Sequence, residues 1–238
     1  PFYKSFRSRA MEKEKTKKST KTTSRKSEVD IKDKLKDAYI EYVLLNGHEP
    51  ASVFQFTKQI KTPEGEFYQY FNSFKALEKE IWQGFFEVVV NKLEADEMYK
   101  NYSAREKLLA FYFTWIEVLK NNRSYVLYNI SRTSKSEINP DYLKTFRHSY
   151  IEYVKSLLEE ARENQEIVDR KFISDRYQEG LWLQLLFVLR FWSEDDSLSF
   201  EKTDAAIEKA VNLSFELMGR GPLESIVDFA KFIYQNKR

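Results

Sequence analysis

The chain has 238 residues, 42% of them apolar and 16% aromatic, enough to core one large domain or two modest ones. Six Gly and five Pro are too few for a many-stranded β fold, and the absence of Cys excludes disulfides and thiolate metal sites. The net charge of +2 hides an asymmetry: residues 1–28 carry ten Lys/Arg against three Glu, whereas the remainder carries 29 basic and 34 acidic side chains.

Residues 1–28 are rich in Lys, Ser and Thr and nearly devoid of apolar residues after Phe6. Such a stretch buries too little surface to offset its ordering entropy, so a disordered basic tail is expected over 1–29. Met11 is a candidate natural start, with 1–10 then an upstream extension. A helical period begins at Ile31 and runs through Leu35, Ala38, Tyr42 and Leu45 to a stop at Asn46-Gly47. Ser52 opens a second helix, with Gln55 completing a capping box and Val53, Phe56 and Ile60 on its inner face. Thr62-Pro63 predicts an N-cap followed by Pro at the first position of a short third helix ending near Tyr70. Ser73 is expected to cap a fourth helix through about Leu93. Further helices are predicted near 103–121, 124–131, 140–164, 174–193, 201–218 and 222–235. No strand pair and no fixed-period repeat is visible. The expected fold is all-α, with a three-helix head at 30–77 and a larger helical body at 78–238.

Four features stand in register across the head: Asn46-Gly47, Ser52-Val53, Gly65-Glu66-Phe67-Tyr68-Gln69-Tyr70-Phe71 and Ser73-Phe74-Lys75-Ala76-Leu77. Together they make residues 31–77 resemble the helix-turn-helix DNA-binding head of the tetracycline-repressor (TetR) family. That family's recognition helix reads Gly-Thr-Leu-Tyr-x-Tyr-Phe, followed by Ser-Lys-x-x-Leu. The resemblance implies a third helix lying in the major groove, with Ser52, Thr62, Glu64, Glu66, Tyr68, Gln69, Tyr70 and Lys75 near DNA. Phe67 and Phe71, four apart, should face inward; a short buried helix of no DNA function would carry the same rings. Three residues depart from the family. Glu64 stands where Lys or a small polar residue is common, Glu66 where Thr or Ser is, and Phe74 where Lys is. Residues 30–80 hold seven Lys against nine Asp/Glu, which offers little to a phosphate backbone. The two carboxylates could simply favour the positive end of the helix dipole, and Glu66 could accept from a cytosine amino group. Alternatively the head has kept its fold and lost DNA binding, with the basic tail left to engage phosphates without sequence preference.

In the body, Leu181–Trp192 is apolar on every side and must be covered all round. The resemblance implies a homodimer through the last two main helices, and Leu185, Leu189, Trp192 and Phe215 are the candidate interface. An entirely intramolecular core is the alternative. Phe111, Trp115, Tyr125, Tyr128, Trp182 and Phe187 are candidate linings of a pocket for a small apolar ligand, or else ordinary core. Arg132 and Arg190 could partner an anionic ligand group. Glu194-Asp195-Asp196 reads as an interhelical loop rather than a metal site. His48 and His148 have no flanking acids, and no nucleophile–base pair or phosphate loop is present, so neither an enzyme nor a cofactor is expected. No run reaches the roughly 18 apolar residues of a membrane span and no signal peptide is evident, so a cytoplasmic protein without membrane contact is expected. The reading is a ligand-responsive dimeric regulator of TetR type that binds double-stranded operator DNA. The alternative is a TetR-fold protein that has lost DNA binding and holds a lipid-like molecule or docks a partner, as in the TetR-like lipid-binding proteins of ubiquinone biosynthesis.

Overall fold

The computed structural model describes residues 31–134, 136–169 and 176–219; the expected tail at 1–29 and the expected helix at 222–235 lie outside the described residues. The chain divides into two compact units between Leu77 and Glu78, and each has its own core.

The first unit holds α1 (31–46), α2 (Val53–Gln59), α3 (Glu64–Tyr70) and the opening turn of α4 (Phe74–Glu94). Its core is aromatic. Phe56 is fully buried, and the rings of Tyr39, Tyr42 and Phe67 meet it edge-on at 6.3 Å and that of Phe74 at 5.6 Å. Edge-to-face packing of this kind adds to the burial of the rings themselves. From α1 the buried residues are Leu35, Tyr39, Tyr42 and Val43. Leu45, expected on that face, is 75% exposed, because at 3.6 residues per turn it falls outside the stripe centred on Leu35 and Tyr39. Gly47 ends α1 with a φ of 75°, donating its N–H to Val43 O at 2.9 Å.

The turn between α2 and α3 differs from expectation by one residue. Lys61 takes a left-handed φ of 55°, and the Thr62 N–H donates back to Thr57 O at 2.9 Å. Thr62 is thereby drawn inside, where its hydroxyl accepts from Lys34 Nζ at 3.2 Å. Pro63 occupies the N-cap with no side-chain bond, and α3 begins at Glu64. Of the neighbouring caps, Ser73 Oγ accepts from Ala76 N at 3.2 Å as expected, and Ser52 Oγ accepts from Gln55 N at 3.1 Å, which is one of the two bonds of the expected capping box.

The second unit holds the rest of α4 with α5 (Ala104–Lys120), α6 (Arg123–Ser131), α7 (Lys144–Glu163), α8 (Tyr177–Glu194) and α9 (Glu201–Met218). Helix α5 packs on α7 and α9, and α8 packs on the same two. A Ser103–Glu106 capping box starts α5, and Glu166, 62 residues on, accepts from Ala104 N at 3.0 Å. The predicted start of α7 at 140 is instead a 3-10 turn, Asp141–Leu143, because Pro140 holds an extended ψ of 139°. The α8–α9 connection is built on Asp195. Its carboxylate accepts from Ser197 N and Thr203 N, both at 2.9 Å, and from the hydroxyls of both residues at 2.6 Å. Burial raises its pKa, but these four bonds outweigh burial and hold the group well below the usual carboxylate range. The tripeptide 194–196 is thus a capping device, and among the described residues no acidic or histidine cluster could hold a metal ion.

Candidate functional site

Helix α3 is seven residues long and buries Phe67, while Phe71 closes it from the C-cap. Those two rings fix which side faces water. Gly65, Tyr68 and Gln69 are exposed; Glu64, Glu66 and Tyr70 flank them, half-buried. Ser52 and Lys75 are also exposed, as are Lys58 and Lys61 on α2 and the turn. Of the residues expected near DNA, Thr62 is displaced: it is buried, with its hydroxyl engaged inside the head. Phe74 is likewise no surface substitution. It stacks on Tyr39 at 5.4 Å and meets Phe67 at 5.5 Å, so it has joined the core instead of the outer face. Only Glu64 and Glu66 remain as acidic departures, and no ion pair among the described residues engages either.

The rings expected to line a ligand pocket are mostly packed against one another. Phe111 stacks on Tyr153 at 4.9 Å, Trp115 lies 5.6 Å from Phe146, and Trp182 lies 6.2 Å from Tyr150. Phe111, Trp115, Tyr125 and Trp182 are buried to 1% exposure or less. Their polar atoms differ in use: Trp115 Nε1 is buried with no hydrogen-bond partner among the described residues. Trp182 Nε1 donates to Ile138 O at 2.9 Å. The Tyr112 and Tyr150 hydroxyls meet at 3.0 Å beside Leu181 O, and burial pushes both above the ordinary tyrosine range, so both stay protonated. Tyr128 is half-buried beneath the Arg132 guanidinium, 4.3 Å from its ring.

Among the described residues, helix α8 is not covered all round. Leu185, Leu189 and Trp192, with Phe215 of α9, are 0–5% exposed inside the chain, so a second subunit cannot rest on them. The large apolar side chains turned outward are Leu183, Phe187, Leu213 and Leu217, 39–55% exposed. Phe187, expected in a ligand pocket, belongs to this outer face. Between α8 and α9 runs an open apolar groove of about 940 Å³, floored by Leu181, Ala206 and Ala210 and edged by Phe187, Phe191 and Leu213. The polar pair inside it, Ser214 and Gln184, is mutually bonded, the hydroxyl donating to Oε1.

A sequence profile described as "Tetracyclin repressor-like, C-terminal domain" matches residues 107–233, more than half of the chain. The chain belongs to the tetracycline-repressor family of transcriptional regulators. Among solved structures, a bacterial regulatory protein in the tetR family from Rhodococcus RHA1 is similar at 13% identity and a TM-score of 0.48, over 80% of this chain and 98% of that one. No curated protein matches the sequence.

Two features of this TetR-family body escape sequence reasoning. Arg132, expected as a ligand partner, is paired with Glu78 of α4 at 2.5 Å and also donates to Asn129 Oδ1 at 3.1 Å. Arg123 lies over the rings of Trp192 and Phe200, at 4.5 and 4.7 Å, and donates to the carbonyls of Trp192 and Ser193, closing the end of α8. Among the described residues, no helix is long and apolar enough to cross a membrane.

Proposed function

We propose that this protein is a dimeric, ligand-responsive transcriptional regulator that binds operator DNA through α3 and pairs through the outer face of α8 and α9. The carrying observation is that outer face. Four large apolar side chains, Leu183, Phe187, Leu213 and Leu217, stand half in water beside an apolar groove. A face of this kind marks an association surface. A second copy covers it by two-fold symmetry and presents two copies of α3, as a palindromic operator requires. In the head, α3 offers Gln69 as a bidentate reader of adenine and Tyr68 as a phosphate or base contact, with Lys58, Lys61 and Lys75 as exposed cations.

The second reading, a TetR-fold protein that no longer reads DNA, is favoured by Glu64 and Glu66, which meet no cation among the described residues. Fluorescence anisotropy with the duplex upstream of the gene, at two salt concentrations, separates the two. The regulator reading expects sequence-dependent binding that survives removal of residues 1–30. It also expects Glu64→Lys with Glu66→Thr to tighten binding about tenfold or more through relief of phosphate repulsion. Binding that is lost with the tail and indifferent to sequence supports the second reading.

A further inference from the structure

Helix α2 ends on a left-handed residue that is not glycine. Lys61 takes a φ of 55°, and the Thr62 N–H reaches back across it to Thr57 O at 2.9 Å. Glycine fills such a position without cost, as Gly47 does at the end of α1 with a φ of 75°, whereas a residue with a Cβ is strained there. The same arrangement closes α7: Gln165 has a φ of 58°, and the Glu166 N–H donates to Ala161 O at 2.8 Å. A long side chain is therefore accommodated in this conformation, and residue 61 differs from residue 165 in its charge and its place. It stands exposed in the turn that leads into α3 at Glu64.

The lysines around this turn are not equivalent. Lys34 Nζ donates to Thr62 Oγ1 at 3.2 Å, and Lys58 Nζ lies over the Phe54 ring, 5.8 Å from its centroid. The Lys61 ammonium meets no carboxylate, hydrogen-bond acceptor or ring among the described residues. We infer that Lys61 is a phosphate ligand of the head: with α3 in the major groove, its ammonium takes one backbone phosphate at the groove's edge. The strain at its backbone is then the cost of placing a cation beside the start of α3. Such a contact carries no sequence information, and it offsets the repulsion that Glu64 and Glu66 bring to a polyanion. The inference rests on the operator-binding reading above and assigns one residue its part in it.

Full-length parent, Lys61→Gln, Lys61→Arg and Lys61→Gly chains, titrated by fluorescence anisotropy against the upstream duplex and a shuffled duplex over a range of salt, test this. Gln changes the charge alone, since Gln165 already takes this backbone conformation. Lys61→Gln should bind both duplexes about tenfold more weakly at about 0.1 M salt. Its slope of log K against log salt should be shallower by about 0.9, the value for one phosphate. Lys61→Arg should keep the parental affinity and slope. Lys61→Gly should unfold no earlier than the parent by circular dichroism and still lose as much binding as Lys61→Gln. A Lys61→Gln slope equal to the parent's, or a loss confined to the upstream duplex, overturns the inference and leaves the operator reading standing. A parent with no preference for the upstream duplex counts against the operator reading, and the Lys61→Gln slope then still decides whether residue 61 meets a phosphate.

Discussion

The head and the body both fold around aromatic rings, but they use them differently. In the head, Tyr39, Tyr42, Phe67 and Phe74 surround Phe56, and no Trp is present. What the head presents outward on α3 is polar: Gln69 and Tyr68, flanked by Glu66. In the body all four Trp are buried, and its tyrosines form hydroxyl pairs, Tyr112 with Tyr150 and Tyr99 with Tyr153 at 2.7 Å. What the body turns outward on α8 and α9 includes four large apolar side chains, Leu183, Phe187, Leu213 and Leu217. The same ring chemistry thus supports two surfaces of different character, one polar and one with a broad apolar part.

That contrast can be broken from the inside. Phe56→Ala removes the centre of the head's core, where a truncation of this size costs about 3–5 kcal/mol. Because every Trp lies in the body, the variant should lose DNA binding while the thermal transition followed by Trp emission stays nearly in place. A Trp transition that falls with the variant would mean the two cores fold as one.

The body's polar devices are worth less individually. Asp195→Asn replaces a carboxylate that accepts four hydrogen bonds, and should cost about 2 kcal/mol at neutral pH, within the range for charged bonds. The sign with pH follows from its depressed folded pKa. The stabilisation is full above the unfolded value, about 3.9, and is lost as pH falls through the folded one. Acid titration of stability should therefore be shallower in the variant than in the parent. Tyr150→Phe should be milder, about 1 kcal/mol by denaturant midpoint, since Tyr112 retains Leu181 O as a partner. A loss several times larger would show that the tyrosine pair acts as more than a local bond.

Much of the fold was legible because helix ends carry local chemistry. Ser52 caps where its spacing to Gln55 says it should, and Ser73 caps α4 as expected. The surfaces were harder. A run such as Leu181–Trp192, apolar on every side, has no period from which to tell inside from outside, so it cannot separate an inward set from an interface. Leu183 and Phe187 could be assigned outward only once α7 and α9 were seen to take the other sides. Phe74 looked like a lost surface lysine because register says nothing of which way a ring turns. Arg132 and Glu78 lie 54 residues apart, and no local pattern announces such a pair.

Sedimentation equilibrium of the full chain and of a Phe187→Glu, Leu213→Glu variant tests the central claim most directly. The parent should sediment as a two-chain particle and the variant as a single chain with an unchanged Trp transition. A parent that remains a single chain at tens of micromolar, or a variant that pairs as well as the parent, would contradict it.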